Sequence, residues 1–179
     1  MTAAVFVDTN VFVYARDVRE ARKQSRAISW LEHLWRRQLG RTSVQVLAEY
    51  YSAVTRKLDP GLPPAVAWDD VSHLMAWRPQ PSDETLLKRG RDIEVRYRLS
   101  WWDSLIVAAA QLQGCALLLS EDLQDGGDYG GVTVRNPFTL EVSEPAATYA
   151  VSPVATKQHP PRGRPKRATT GHPEGRARL

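Results

Sequence analysis

Residues Ala3 to Val7 form an apolar run that gives way at once to Asp8-Thr9-Asn10. A short, continuously apolar series rich in β-branched and aromatic residues reads as a strand buried on both faces, the kind found in a helix-covered parallel sheet. A carboxylate directly after such a strand stands at the carboxyl edge of the sheet, where open α/β folds bind their ligands. This one junction restricts both the fold class and the location of a site.

The rest of the chain alternates helical and strand patterns. Val11 to Ala15 reads as a short helical turn. Ala21 to Gln38 carries Ile28, Leu31, Leu34 and Trp35 at helical spacing, and Gly40 is expected to end that helix. Arg41-Thr42-Ser43 reads as extended, with Ser43 capping a helix from Val44 to about Leu58. After the loop Asp59 to Pro64 come helices over Ala65 to Ala76, from Ser82 or Asp83 to about Tyr97, and from a Ser100 cap over Trp101 to Gln113. Ala116 to Leu119 and Val132 to Val134 are the remaining strands. The pattern predicts an α/β fold, an α/β/α sandwich with a small, mainly parallel sheet.

Three further acids share the expected edge with Asp8. Asp122 follows the apolar strand at Leu119, Asp103 lies in the first turn of its helix within Ser100-Trp101-Trp102-Asp103, and Glu49 is near the start of its helix. Each has an ordinary explanation alone: a cap, a helix-dipole partner, a solvated helix residue, a loop acid. Together, four carboxylates repel one another unless a cation joins them. Hard oxygen ligands with open positions suit Mg²⁺, with Mn²⁺ as a substitute. Such a site supports metal-assisted phosphodiester hydrolysis. The four histidines are scattered, and two of them lie beyond Val151, so no Ser-His-Asp arrangement competes.

The ordered set resembles the PIN domain: Asp-Thr-Asn after the first strand, Glu in a mid-chain helix, Asp opening an Ala-rich helix, and Asp after an apolar strand. Its finer texture (VFVDTNVFVYA, SEDLQDG and GVTVRNPF) resembles the VapC-type toxin ribonucleases over roughly the first 140 residues. The resemblance implies that Asp8 and Asp103 are core metal ligands, that Glu49 and Asp122 complete the catalytic set, and that Thr9, Asn10 and Ser120 orient it, with Asp125 as a nearby contributor. It further implies Mg²⁺-dependent endoribonuclease activity, a homodimer and a cognate antitoxin. A PIN nuclease working in RNA or DNA processing without an antitoxin is the first alternative.

Composition divides the chain. From Val151 onward there are seven basic residues and one acid, a net charge of +6, so residues 1–150 carry −2 of the total +4. The reading is a nuclease domain over 1–142 and a disordered basic tail over 143–179. Within the tail, residues 161–167 resemble an AT-hook, in which Arg162, Gly163, Arg164 and Pro165 would enter the minor groove of A·T-rich DNA. Generic contact of a basic tail with RNA or DNA is the plainer reading. A DNA-binding protein whose acids are structural is the second alternative.

Cys115 alone precludes an internal disulfide and reads as a buried side chain. No signal peptide and no apolar run long enough to span a bilayer is evident, so a cytoplasmic protein without a membrane partner is expected. Of Trp101 and Trp102, at least one is expected to pack inward while the other is free to stack on a base. Arg16, Arg19, Arg22 and Lys23 read either as an RNA path or as a solvated helix start.

Overall fold

In the computed structural model, which describes residues 3–139, four strands form one parallel sheet. They are β1 (Val5–Val7), β2 (Gly40–Arg41), β3 (Leu117–Leu119) and β4 (Thr133–Arg135), in the spatial order β2-β1-β3-β4. Every residue of β1 and β3 is buried. The strands are thus apolar throughout because both faces of the sheet are covered. Around the sheet lie α1 (Thr9–Tyr14), α2 (Ala21–Arg37), α3 (Val44–Arg56), α4 (Pro64–Leu74), α5 (Glu84–Tyr97) and α6 (Trp101–Leu112). The α/β fold with a small parallel sheet is the one the sequence predicts.

The strand order makes a switch point. From β1 the chain first crosses to β2 on one side, then returns past β1 to β3 on the other, so the connections that leave the carboxyl ends of β1 and β3 run in opposite directions. Such a divergence opens a crevice at the carboxyl edge. Two helices bring their amino ends there. Helix α3 begins just after β2, and α6 runs back against β3, to which a turn of four residues joins it.

Caps set these helix starts. Ser43 accepts from Val46 N (3.2 Å), Asp83 from Leu86 N (2.9 Å) and Ser100 from Asp103 N (3.1 Å). Each satisfies an orphan amide of a first turn. Asp83, not Ser82, caps α5. Several limits differ from the sequence reading. Helix α1 starts at Thr9 rather than Val11, because Asp8 is itself the cap, accepting from Thr9 N at 2.7 Å. Helix α3 stops at Arg56, and α4 gives way after Leu74 to a tighter turn over Met75–Trp77. Helix α6 stops at Leu112, and β4 runs one residue later than expected.

Gly40 does not end α2. The left-handed residue there is Gln38 (φ 57°), and Gly40 lies in β2. A Cβ at Gly40 would lie 2.5 Å from the Trp77 ring, which is buried between Phe12 and Trp35. A rigid ring held on two sides cannot step back, so Gly40→Ala is expected to destabilise the fold by ~1–3 kcal/mol. Urea unfolding should show a lower midpoint with an unchanged slope.

Cys115 is buried, as expected. Among the described residues, no helix is long and apolar enough to cross a membrane. The predicted tail, 143–179, lies outside the described residues, and so does its segment 161–167.

Candidate active site

The carboxyl ends of β1 and β3 are tied together by Asp8 N donating to Leu119 O (3.0 Å), and those of β3 and β4 by Ser120 N donating to Arg135 O (3.1 Å). Asp8 and Ser120 therefore emerge side by side, and Ser120 Oγ donates to Asp8 Oδ2 at 2.7 Å. Both side chains are buried. Asn10, on the first turn of α1, donates from Nδ2 to Asp8 Oδ2 (3.2 Å) and reaches Ser120 Oγ and Asp122 Oδ2, each at 3.4 Å. Thr9 Oγ1 donates to Glu49 Oε2 (2.8 Å), and Gln45 Nε2 donates to Glu49 Oε1 (3.0 Å). The three residues Asp8-Thr9-Asn10 thus carry one carboxylate and link it to two others, on α3 and after β3.

These contacts shape the charge on Asp8. Burial pushes its carboxyl up from 3.8 to about 7; the bonds from Ser120 and Thr9 oppose this, while the charges of Asp122 and Glu49 reinforce it. A buried carboxylate beside two acids is reluctant to ionise until a cation arrives.

Asp103 stands differently. Its Oδ2 accepts from Ser100 Oγ (2.7 Å), the residue that caps its own helix, and its charge acts on Tyr129 rather than on Asp8. The fold brings Asp8, Glu49 and Asp122 into one hydrogen-bonded set, and Asp103 sits outside that set in the first turn of α6. Asp125 is engaged elsewhere: it accepts from Arg135 Nε (3.0 Å) and Asn136 N (2.8 Å), which fastens the loop after β3 to the end of β4. Arg162, Gly163, Arg164 and Pro165 lie outside the described residues.

The donors suit a hard divalent cation. All are oxygens, and Asn10 Oδ1 is buried without a hydrogen-bond partner among the described residues, so a water entering with a hydrated ion would satisfy it. Among the described residues, no group of three or more His, Cys, Asp or Glu side chains is placed to hold a metal ion. Carboxylate oxygens with room for water are the donor set that Mg²⁺ usually takes.

The flanking basic residues are largely neutralised. Arg16 pairs with Asp70, Arg19 with Asp59 (3.3 Å), and Lys23 with Glu121 (2.7 Å). A charged, solvated surface describes them better than an open RNA path. Trp101 packs against the core while Trp102 is exposed.

Two features were not visible in the sequence. Lys23 Nζ also donates to the Tyr14 hydroxyl at 3.0 Å, beside the Phe138 ring. Asp70 receives both Arg16 and the Tyr50 hydroxyl (2.5 Å) at the wall of a cavity of about 300 Å³ among α1–α4, lined also by Phe12, Leu31 and Leu74. Asp70 lies in Trp68-Asp69-Asp70, where nothing in the spacing separates a cavity acid from a solvated one.

Fold and site together define a small parallel α/β domain with an oxygen-only, acidic site at its carboxyl edge. A model of the PIN domain family matches residues 5–124, and the chain belongs to that family. PIN domains are typically nucleases and generally use divalent metal ions. A search of the curated proteins gives no match.

Proposed function

We propose that this PIN domain is a Mg²⁺-dependent endoribonuclease, active also with Mn²⁺, and that it is the toxin of a type II toxin–antitoxin pair. The observation that carries the nuclease reading is the joining of Asp8, Glu49 and Asp122 through Thr9, Asn10 and Ser120 at the switch point of the sheet. A divalent cation bound there supplies Lewis-acid stabilisation of the phosphoryl oxygens and an acidified water.

The chain's own residues do the rest. Asp8 and Asp103 would hold the ion, and Ser120 and Asn10 fix the Asp8 carboxylate by hydrogen bonds. Glu49 and Asp122, both exposed at the mouth, are placed to orient the attacking water and accept its proton. The toxin assignment, with a homodimer, an antitoxin partner and a cytoplasmic setting, is supported by the VapC-like texture around these residues.

Purified protein should cut single-stranded RNA with Mg²⁺ or Mn²⁺ and stop in EDTA. Asp103→Asn should lower the rate at least ~100-fold, the usual scale for removing a group that stabilises transition-state charge, with the melting temperature little changed. Undiminished cleavage by Asp103→Asn would remove Asp103 from the site. Cleavage that persists in EDTA would exclude the metal-dependent reading.

A further inference from the structure

We propose that Asp70 is a positioning residue for Glu49: by holding Arg16 and the Tyr50 hydroxyl together, it sets the rotation of α3 that puts Glu49 against Thr9. Asp70 lies on α4, Tyr50 on α3, and Arg16 in the turn that closes α1. Oδ2 of Asp70 accepts from Arg16 Nε at 2.9 Å and from the Tyr50 hydroxyl at 2.5 Å, while Oδ1 accepts from Arg16 Nη2. One carboxylate therefore joins α3, α4 and the end of α1.

Two of these elements carry the acidic site. Thr9 opens α1, and its hydroxyl donates to Glu49 Oε2 at 2.8 Å. Glu49 directly precedes Tyr50 on α3; it is exposed, whereas Tyr50 is buried with its ring edge-on to Phe12 of α1. Helix α1 is thus bonded to α3 at its start through Thr9 and beyond its last residue through Arg16 and Asp70. Among the described residues, Glu49 has only Thr9 and Gln45 as hydrogen-bond partners, and Gln45 rides on the same helix. Its aim therefore follows the rotation of α3.

Apolar packing of Val46, Leu47 and Val54 holds α3 to the core, but burial of this kind has no direction. The bond from Tyr50 to Asp70 has one. A side-chain end lies about 5–6 Å from a helix axis, so each 10° of rotation moves it roughly 1 Å. Displacing a reacting group that far costs on the order of 100-fold in rate. The energetics agree. Arg16 and Asp70 meet at the wall of the cavity beside Phe12, Leu31 and Leu74, where the Asp70 side chain is only 19% exposed. The desolvation of such a pair largely offsets its attraction, so its contribution is orientation more than stability. Burial, reinforced by the bond to Asp70, raises the Tyr50 hydroxyl above its ordinary range, and it stays a donor at neutral pH.

The test begins in the metal-free protein without RNA. The Thr9 side-chain protons should show a nuclear Overhauser contact to the Glu49 γ protons, and Asp70→Asn and Tyr50→Phe should each weaken it. Tyr50→Phe removes one hydroxyl and keeps the ring on Phe12, so it reads the bond even where Asp70→Asn fails to fold. An undiminished contact in the folded variants would overturn the proposal. Cleavage gives the second readout and rests on the nuclease reading. With saturating Mn²⁺, Tyr50→Phe should lower the single-turnover rate about tenfold, the scale of coupling between neighbouring groups, without changing the RNA concentration at half-maximal rate. In a Glu49→Gln background the same substitution should cause no further loss, because the group it positions is gone. An equal loss in both backgrounds would mean that Tyr50 acts on the fold at large, which also overturns the proposal. A parent protein that cuts no RNA would refute the nuclease reading and leave the Overhauser contact to decide the role of Asp70.

Discussion

Replacing Asp8 with asparagine is expected to make the metal-free protein more stable at pH 8 while abolishing metal-dependent cleavage. Burial raises the Asp8 carboxyl from 3.8 to about 7 in the folded chain. The folded state therefore holds a proton that the unfolded chain has released throughout that window. Below pH 3.8 both states are protonated and the residue costs nothing; the penalty grows as pH rises and is complete above about 7. It amounts to roughly 4 kcal/mol. Asparagine avoids that penalty but loses part of the bonding from Ser120 and Asn10, leaving a net gain on the order of 2 kcal/mol. For a chain of this size that raises the melting temperature by ~4–8 °C.

The sign separates two roles. Asn is as good a helix cap as Asp, so if Asp8 served only to start α1, the substitution would be neutral at every pH. A gain at pH 8 that turns into a loss near pH 4, where the charge penalty is gone and only the lost bonding remains, identifies a carboxylate held in the fold at a cost, as functional sites are. Thermal melts at the two pH values in EDTA measure it. An Asp8→Asn protein less stable than the parent at pH 8 would show that its hydrogen bonds outweigh its buried charge.

The fold was legible where one residue type had one physical reason. The apolar runs at Val5 and Leu117 had to be strands covered on both faces, and Ser43 and Ser100 had to be caps, since each precedes a helical pattern. Helix ends were less legible. Gly40 follows α2 and looks like its stop, but its small size is demanded by Trp77, which is 37 residues away in sequence. Gln38 takes the left-handed turn instead. The acidic edge was foreseeable because strand and helix polarity fix which ends coincide. The hydrogen bonds within it were not. That Thr9 would reach Glu49, or that Asp103 would turn to Ser100, depends on rotamers that follow only from packing. Asp125 shows the same limit from the other side: its position after β3 suits a site, yet its oxygens go to Arg135 and Asn136.

Mn²⁺ binding should depend steeply on pH, with a break set by Asp8. An ion needs the deprotonated carboxylate, so below about pH 7 each metal bound displaces a proton from Asp8. The dissociation constant should approach a tenfold rise for each pH unit below the break, roughly 50-fold between pH 7 and pH 5, and level off above it. The electron paramagnetic resonance signal of free Mn²⁺ follows this directly, without RNA. Glu49 contributes to the upward shift of Asp8 through its charge, so Glu49→Gln should move the break to lower pH. The same substitution weakens binding at high pH if Glu49 also touches the ion, and the two effects are read separately, one from the position of the break and the other from the plateau. A break near pH 4 would mean that Asp8 ionises like an exposed carboxylate. An affinity constant from pH 5 to 8 would mean that the ion binds without it.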